Sequence, residues 1–427
     1  MKSKRVANDR GLILPLALMA FVILGALAAA ILSIGGSEAQ IASNHLRSVQ
    51  AGFLAEAGLE HAFNTLYNST LAPPNLVTAA SANLQNVVSN SSLGGAGSYT
   101  VQYQAAGDYT VRVVSTGVSA IGGSQAIRRA VMSTFFRSND AILTDGSLTV
   151  GGSTDVLATG GTCGNVHTNG NLDLNGSNVQ INGNATATGT YTTSGNPTVG
   201  PGSGGLPDKV IPREYVPHID PADFLNTAKA KLPAGSVFQM TVNADNKNEV
   251  RDGSGDLLQT VDDKGSYCGW KYTAGTTASW KFSDNAVPPG CNGTFYFQGN
   301  IEVSGSPGNP DPWKTTLIAT GDIKITGNPT ITADASYTVH DSLFIAGRDV
   351  KIQGTPSNGY NGLIAAHEQF DLSGTGTIVG LIIGENAFNT PGSLVSANTV
   401  TGNITLTYNC GSTPPLQGPL QILSWGL

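Results

Sequence analysis

The four cysteines, Cys163, Cys268, Cys291 and Cys410, are the residues of this chain whose chemistry is easiest to name. They are even in number, with no CxxC and no paired His/Cys spacing, so disulfides are expected and zinc is not. Cys268–Cys291 is the favoured bridge because it closes a short loop, worth about 3 kcal/mol by chain-entropy arithmetic. Cys163 and Cys410 stand far apart in sequence and pair only if the first and last coils of the fold meet.

Other candidates for chemistry are weaker. Asp322 with Lys324 and Asp349 with Lys351 occupy matching positions of a repeat and could line up acid and base along one face, as polysaccharide cleavage requires; a solvated outward face is the preferred reading. Trp270 and Trp280 could stack on sugars, but two aromatics near a disulfide are expected to form a small lobe's core. Asn243, Asp245 and Glu249 offer oxygen ligands for calcium, yet Lys247 sits where a ligand is needed and the turn glycine is missing. The six histidines are scattered, none in an HExxH or nucleophile-elbow setting. Residues 200–204 mimic a phosphate loop in composition only. No catalytic residue, metal or cofactor is expected.

The elements that carry these residues come from an internal repeat. Residues 146–152 (GSLTVGG) recur as 170–176 (GNLDLNG), 299–305 (GNIEVSG) and 321–327 (GDIKITG), with degenerate copies at 349–354, 370–374 and 402–406. Each copy is a short strand with two inward apolar residues around one outward polar residue. Copies about 20 to 27 residues apart match one coil of a right-handed parallel β-helix, which buries its apolar face only by stacking. A β-sandwich is the alternative. Residues 140–200 are expected to hold the first coils and 296–410 the later ones. Between them, 201–295 reads as a Pro/Gly-rich linker, a short helix at 222–231 and a disulfide-containing insertion projecting as its own lobe. Residues 411–427 read as a C-terminal tail.

Only 12% of the 427 residues are charged, against roughly 25% in ordinary soluble proteins, and glycine numbers 54. That composition suits extracellular β-structure rich in tight turns. A net charge of −7 gives no basic footprint for nucleic acid. Over 98–137, strands at 99–103, 109–114 and 126–131 are separated by Gly107-Asp108 and Gly122-Gly123 and form a small antiparallel meander.

The N-terminus has a short basic leader, residues 1–11, with Lys2, Lys4, Arg5 and Arg10 against Asp9. No charged residue follows from 12 to 37, enough to cross a bilayer as a helix, with 12–36 as the span. Basic residues at its N-terminal edge predict a cytoplasmic leader and an exported remainder. The run is longer than a secretory signal's core and continues as helix, so it is expected to be retained. Over 37–68, Ile41, Leu46, Val49, Phe53, Ala57, Ala62, Phe63 and Leu66 fall at spacings of three and four, predicting one amphipathic face of a helix about 55 residues long.

Basic leader, glycine, apolar helix and amphipathic continuation resemble a type IV prepilin. Ala55-Glu56-Ala57-Gly58-Leu59, within AGFLAEAGLE at 51–60, is similar to the signature of the PilX-type minor pilin N-terminal region. The resemblance, strongest over about residues 8–67, implies a prepilin peptidase that cuts after Gly11 and leaves Leu12 as the new N-terminus. It departs from a major pilin at the fifth mature position, where Leu16 stands in place of glutamate. That absence resembles minor pilins and K-type pseudopilins placed at a filament tip, making Leu16 the determinant of filament position. Further implications are partners among major and minor pilins, passage through the bacterial inner membrane, and a final place on a pilus or cell surface with the bulk of the chain extracytoplasmic.

The resulting expectation is an α+β pilin-like unit followed by a mainly β parallel β-helical head. Its expected role is structural, in pilus assembly, priming or the tip, with adhesion to a surface or glycan ligand through the head and no enzymatic activity. A membrane-anchored β-helix protein binding or cleaving surface polysaccharide is the alternative.

Overall fold

The computed structural model describes residues 13–68, 85–107, 110–136, 138–161, 163–200, 212–243, 247–262, 265–273, 279–339, 341–355, 359–390, 392–410 and 416–426. The leader, Gly11, Leu12, Asp245 and the stretch 201–211 lie outside these residues. The chain forms two compact units, one reaching to Ser133 and resuming at Leu420, the other Thr134–Pro419.

The first unit begins with a single helix of 56 residues, α1 (Ile13–Asn68), in which Pro15 sits harmlessly in the first turn, where its missing N–H has no helical partner. In its first half the large apolar side chains from Leu14 to Ile34 are 52–77% exposed, and the helix is long and apolar enough to cross a bilayer. Its second half packs on an antiparallel sheet ordered β1 (Gln85–Ser92), β2 (Gly97–Gly107), β3 (Thr110–Ser119), β4 (Gln125–Phe135) and the C-terminal strand Gln417–Gly426. Two expectations change here. The meander has five strands rather than three, because strand formation also recruits 85–92 and the supposed C-terminal tail. The expected face of α1 meets the sheet only in its C-terminal part, where Ala62 is buried and Ala57 and Phe63 pack on the core. Ala51, Leu54, Ala55, Leu59 and Ala62 are buried, whereas Ile41, Leu46, Val49 and Phe53 stay exposed. Small side chains win the interface because they let the helix backbone approach β3. A Cβ on Gly117 would overlap the Ala51 carbonyl oxygen, and one on Gly58 would overlap the Ser115 hydroxyl. Every second residue of β3 from Val111 to Ser119 points into this core, as a half-buried strand requires.

The second unit is a stack of coils whose strands pair in parallel, which excludes the antiparallel sandwich. Three ladders run its length. In one, Val237–Val242 pairs with Gly293–Phe297, then come Trp313–Ala319, Ser342–Ala346, Leu363–Ala366 and Ile382–Gly384. That ladder continues not to the next residues but back to Asp140–Thr144, then Asn165–Thr168 and Ala185–Ala187. The stack is therefore built in two passes. The chain enters at its middle, climbs to one end by residue 199, returns, restarts at the other end near 237 and climbs to meet its own first coil. Beside the entry, the Phe136 N–H donates to the Leu416 carbonyl at 3.2 Å, so entry and exit are neighbours.

The repeat copies at 146–152, 170–176, 299–305, 321–327, 349–354 and 370–374 all fall in a second ladder, with Leu148 on Leu172, Ile301 on Ile323, Ile323 on Val350 and Val350 on Phe370. The copy at 402–406 does not. Its strand, Asn403–Asn409, joins the third ladder, and Asn398–Val400 takes the second-ladder place in that coil. The expected inserted lobe is likewise part of the stack. Val237–Val242 and Ser279–Phe282 are ladder strands, and the hairpins attached to them close the lower end. Trp270, Trp280, Phe282, Phe295, Phe297 and Trp313 fill that end, with the Trp270 and Phe297 rings 4.5 Å apart. An end coil lacks a neighbour on one side, so bulky aromatics and added hairpins cover the apolar surface it would otherwise expose.

Candidate functional site

On α1 the signature residues divide between packing and charge. Ala55 and Leu59 are buried and Gly58 gives the close approach to β3. Ala57 packs at the margin of the same core. Glu56 pairs with Arg128 of β4 at 3.4 Å, and the Arg128 guanidinium lies over Gly52. His61 Nδ1 lies 2.6 Å from the Tyr99 hydroxyl, and the Ser119 hydroxyl donates to Gln50 at 2.7 Å. The signature thus fixes helix to sheet. Leu16 is 69% exposed in the apolar half, far along the helix from that contact.

In the head, the paired carboxylates do not form an outward acid–base face. Asp322 and Asp349 occupy a corner, where each side chain accepts a backbone N–H from the neighbouring coil. Asn300 Oδ1 accepts from Asp322, Asp322 Oδ1 from Asp349, and Asp349 Oδ1 from Gln369, at 2.8, 3.3 and 3.1 Å. The second Asp349 oxygen accepts the Val395 N–H at 2.9 Å, and the side chain is buried. Burial pushes both carboxyls above their ordinary range, while Arg348 restrains Asp322 and backbone donors restrain Asp349. Asn328 and Asn285 do the same work at the following corner. This use of Asn and Asp as corner acceptors gives the Asn-rich composition a physical role.

Lys324 and Lys351 do point outward, on the second ladder, but toward different partners. Lys281 and Lys324 flank Glu302 at 3.5 and 3.6 Å, and Lys351 meets Asp371 at 3.2 Å. Farther along the same row, the Thr399 hydroxyl donates to Asp371 and that of Thr192 to Asp173, at 2.8 and 3.0 Å. The row is a satisfied polar surface.

The seam where the two passes meet is fastened by strand pairing, a disulfide and a side-chain hydrogen bond. Ile142, Thr149 and Val156 of the first coil stand on Ile382, Thr399 and Leu406 of the last. Cys163 is bonded to Cys410 across it, and the Tyr408 hydroxyl donates to the Ser138 carbonyl at 2.8 Å. Cys268–Cys291 lies in the aromatic end instead.

A return strap, residues 212–220, crosses the seam on the outside and leads into the helix Pro221–Lys231, capped by the Asp220 carboxylate on the Ala222 N–H at 2.8 Å. Its partners are the residues that immediately follow successive first-ladder strands. Asn169 exchanges two hydrogen bonds with the Glu214 backbone, and Asp145 holds Arg213 at 2.6 Å. Glu385 receives His218 Nδ1 at 2.7 Å, the Ile219 N–H at 2.8 Å and His367 Nδ1 at 2.6 Å. The hydrogen bond to Glu385 holds the His367 imidazole above its ordinary pKa. Burial pulls the Glu385 carboxyl up, but its three donors outweigh burial and leave it below the ordinary range. Beneath the strap, Asp140 is buried, and burial together with Glu214 pushes it up to about 7.

Sequence reasoning missed this strap. The run of prolines at 207, 212, 217 and 221 signals extended chain, but nothing local pairs His218 with Glu385, 167 residues away. The calcium candidates are otherwise engaged: Asn243 donates to Glu249 at 2.7 Å and accepts the Lys247 N–H at 2.9 Å, and Glu249 also holds Arg251. Trp270 and Trp280 are buried in the end of the stack, with no exposed ring face.

No family model matches the chain, and no curated protein matches it. Among solved structures, the crystal structure of the competence-associated pilin ComZ from Thermus thermophilus aligns over 89% of this chain and 97% of that one, at 16% identity and a TM-score of 0.31.

Proposed function

We propose that this chain is a minor pilin of PilX type, a structural and assembly protein rather than an enzyme, that carries a coil-stack head at the tip of a type IV filament. The observation that carries this reading is the length of uncovered apolar helix. Exposed apolar residues on α1 extend from Leu14 to Phe53, about 60 Å at 1.5 Å per residue. A bilayer's hydrocarbon core is about 30 Å thick and covers only half of that. Ile41, Leu46, Val49 and Phe53 therefore need another cover, and the helices of neighbouring pilins provide it. Leu16, in place of a glutamate that would need a charged partner in an apolar surround, suits a subunit with no neighbour above it. The head then serves as the priming or adhesive part.

Mass spectrometry of the chain's N-terminus tests the reading. A chain beginning at Leu12 is expected, and Gly11→Leu should leave the leader in place. An intact leader on the wild-type chain in cells that process other prepilins overturns the proposal and leaves a resident membrane anchor.

A further inference from the structure

His218, His367 and Glu385 come from two distant parts of the chain and converge at one point. One ligand atom from each lies within 4.8 Å of the others. His218 arrives on the strap, His367 and Glu385 at matching corners of adjacent coils. The two imidazole rings are 5.3 Å apart at 78°, each turning Nδ1 toward a different oxygen of the same carboxylate. The Ile219 N–H fixes that carboxylate from outside the cluster, as outer-shell donors fix metal-binding carboxylates. Asp220 and Glu368 add negative charge around His367.

We infer that His218, His367 and Glu385 form a zinc site that pins the return strap to the coil stack. Two imidazoles and one carboxylate are a zinc ligand set that leaves the fourth tetrahedral position to water. Zinc–ligand bonds of about 2.0–2.2 Å place tetrahedral donors about 3.3 Å apart. The imidazoles, now hydrogen-bonded to Glu385, must back away by about 0.7 Å, and the exposed His218 side chain has room to do so. The protons on Nδ1 are displaced. A neutral ring carries its proton on Nε2 instead, and an imidazolium releases one to solvent. The inference is independent of the pilin reading, since a strap needs pinning in any exported head.

The test uses the full chain in detergent, stripped with EDTA and titrated with Zn2+ by calorimetry and with Co2+ by visible absorption. One equivalent should bind, with the d–d bands of tetrahedral cobalt. Amide exchange at Ile219 should slow at least tenfold with zinc. His218→Ala, His367→Ala and Glu385→Gln should each weaken zinc by about 100-fold or more, above the 10–100-fold lost with outer-shell partners. His45→Ala, on the exposed side of α1, should bind as wild type. His218→Ala keeps both coil-borne ligands, so it remains informative if the two coil-borne variants misfold. Failure of the folded wild-type chain to bind overturns the inference. So does weak binding shared equally by every variant.

Discussion

Cys163 and Cys410, separated by 247 residues, are joined by a disulfide across the seam between the first coil of the head and its last. The bond closes, covalently, the long loop that the two-pass topology creates. The Tyr408–Ser138 and Asn398–Ser147 hydrogen bonds fasten the same seam.

Replacing both of these cysteines by serine should lower stability by about 2–5 kcal/mol, the cost typical of removing a native disulfide. Thermal melts of the oxidised protein measure it. Reduction of the wild-type chain, which also opens Cys268–Cys291, should lower the melting temperature at least as far. An unchanged melting temperature in the double variant would show that the ladders alone hold the seam.

The approach of α1 to β3 predicts sensitivity at two glycines. Gly58→Leu and Gly117→Val should each cost about 1–3 kcal/mol or more, because both force the helix away from the sheet. Gly36→Ala, where a Cβ meets nothing within 4 Å, should leave the unit's packing unchanged. Near-UV circular dichroism, which reports Tyr99 and Tyr103 in that core, distinguishes lifting from local repacking.

Asp140 predicts a dependence on pH. Burial first, and Glu214 second, push its carboxyl from 3.8 to about 7. The folded protein therefore holds that proton more tightly than the unfolded chain. Its stabilising contribution is complete below about pH 4 and is lost as pH rises through 7. Asp140→Asn should flatten this dependence and raise the melting temperature at pH 8 more than at pH 5. Parallel melting curves for variant and wild type across that interval would refute the assignment.

Asp349 and Lys351 separate a corner role from a catalytic one. Asp349→Ala strips the acceptor from two N–H groups, those of Gln369 and Val395, at about 1–3 kcal/mol each. Lys351→Ala removes a surface ion pair and should cost at most about 1 kcal/mol. Polysaccharide cleavage by the wild-type chain that is lost in Asp349→Asn with its melting temperature intact would favour the enzymatic alternative.

What could be read from sequence was whatever has a short period. The apolar run after residue 12 gave a helix, and the helix runs without a break from Ile13 to Asn68. The polar residue between two apolar ones predicted inward and outward sides, and Ile323, Lys324 and Ile325 follow it as buried, half-buried and buried. Errors began where one side chain has two uses. Ile41 and Phe53 share helical spacing with the true interface, but periodicity does not report which stripe meets the sheet. Gly58 and Gly117 decide that by permitting the closest approach. Asp349 has the sequence setting of an outward carboxylate and was legible as buried only from the corner it occupies.

From its sequence alone, then, this chain determined a long apolar helix, a small antiparallel sheet and stacked parallel coils. Each follows from residues within about one turn or one coil of each other, where spacing sets which side chains share a face. Only the tertiary structure decided that the coils are laid down in two passes, that Cys163 meets Cys410, and that His218 reaches His367 and Glu385. Those contacts join residues far apart in the chain. They form because the last coil finds its unpaired ladder edge on the first, a match of hydrogen-bonding edges that carries no local signature.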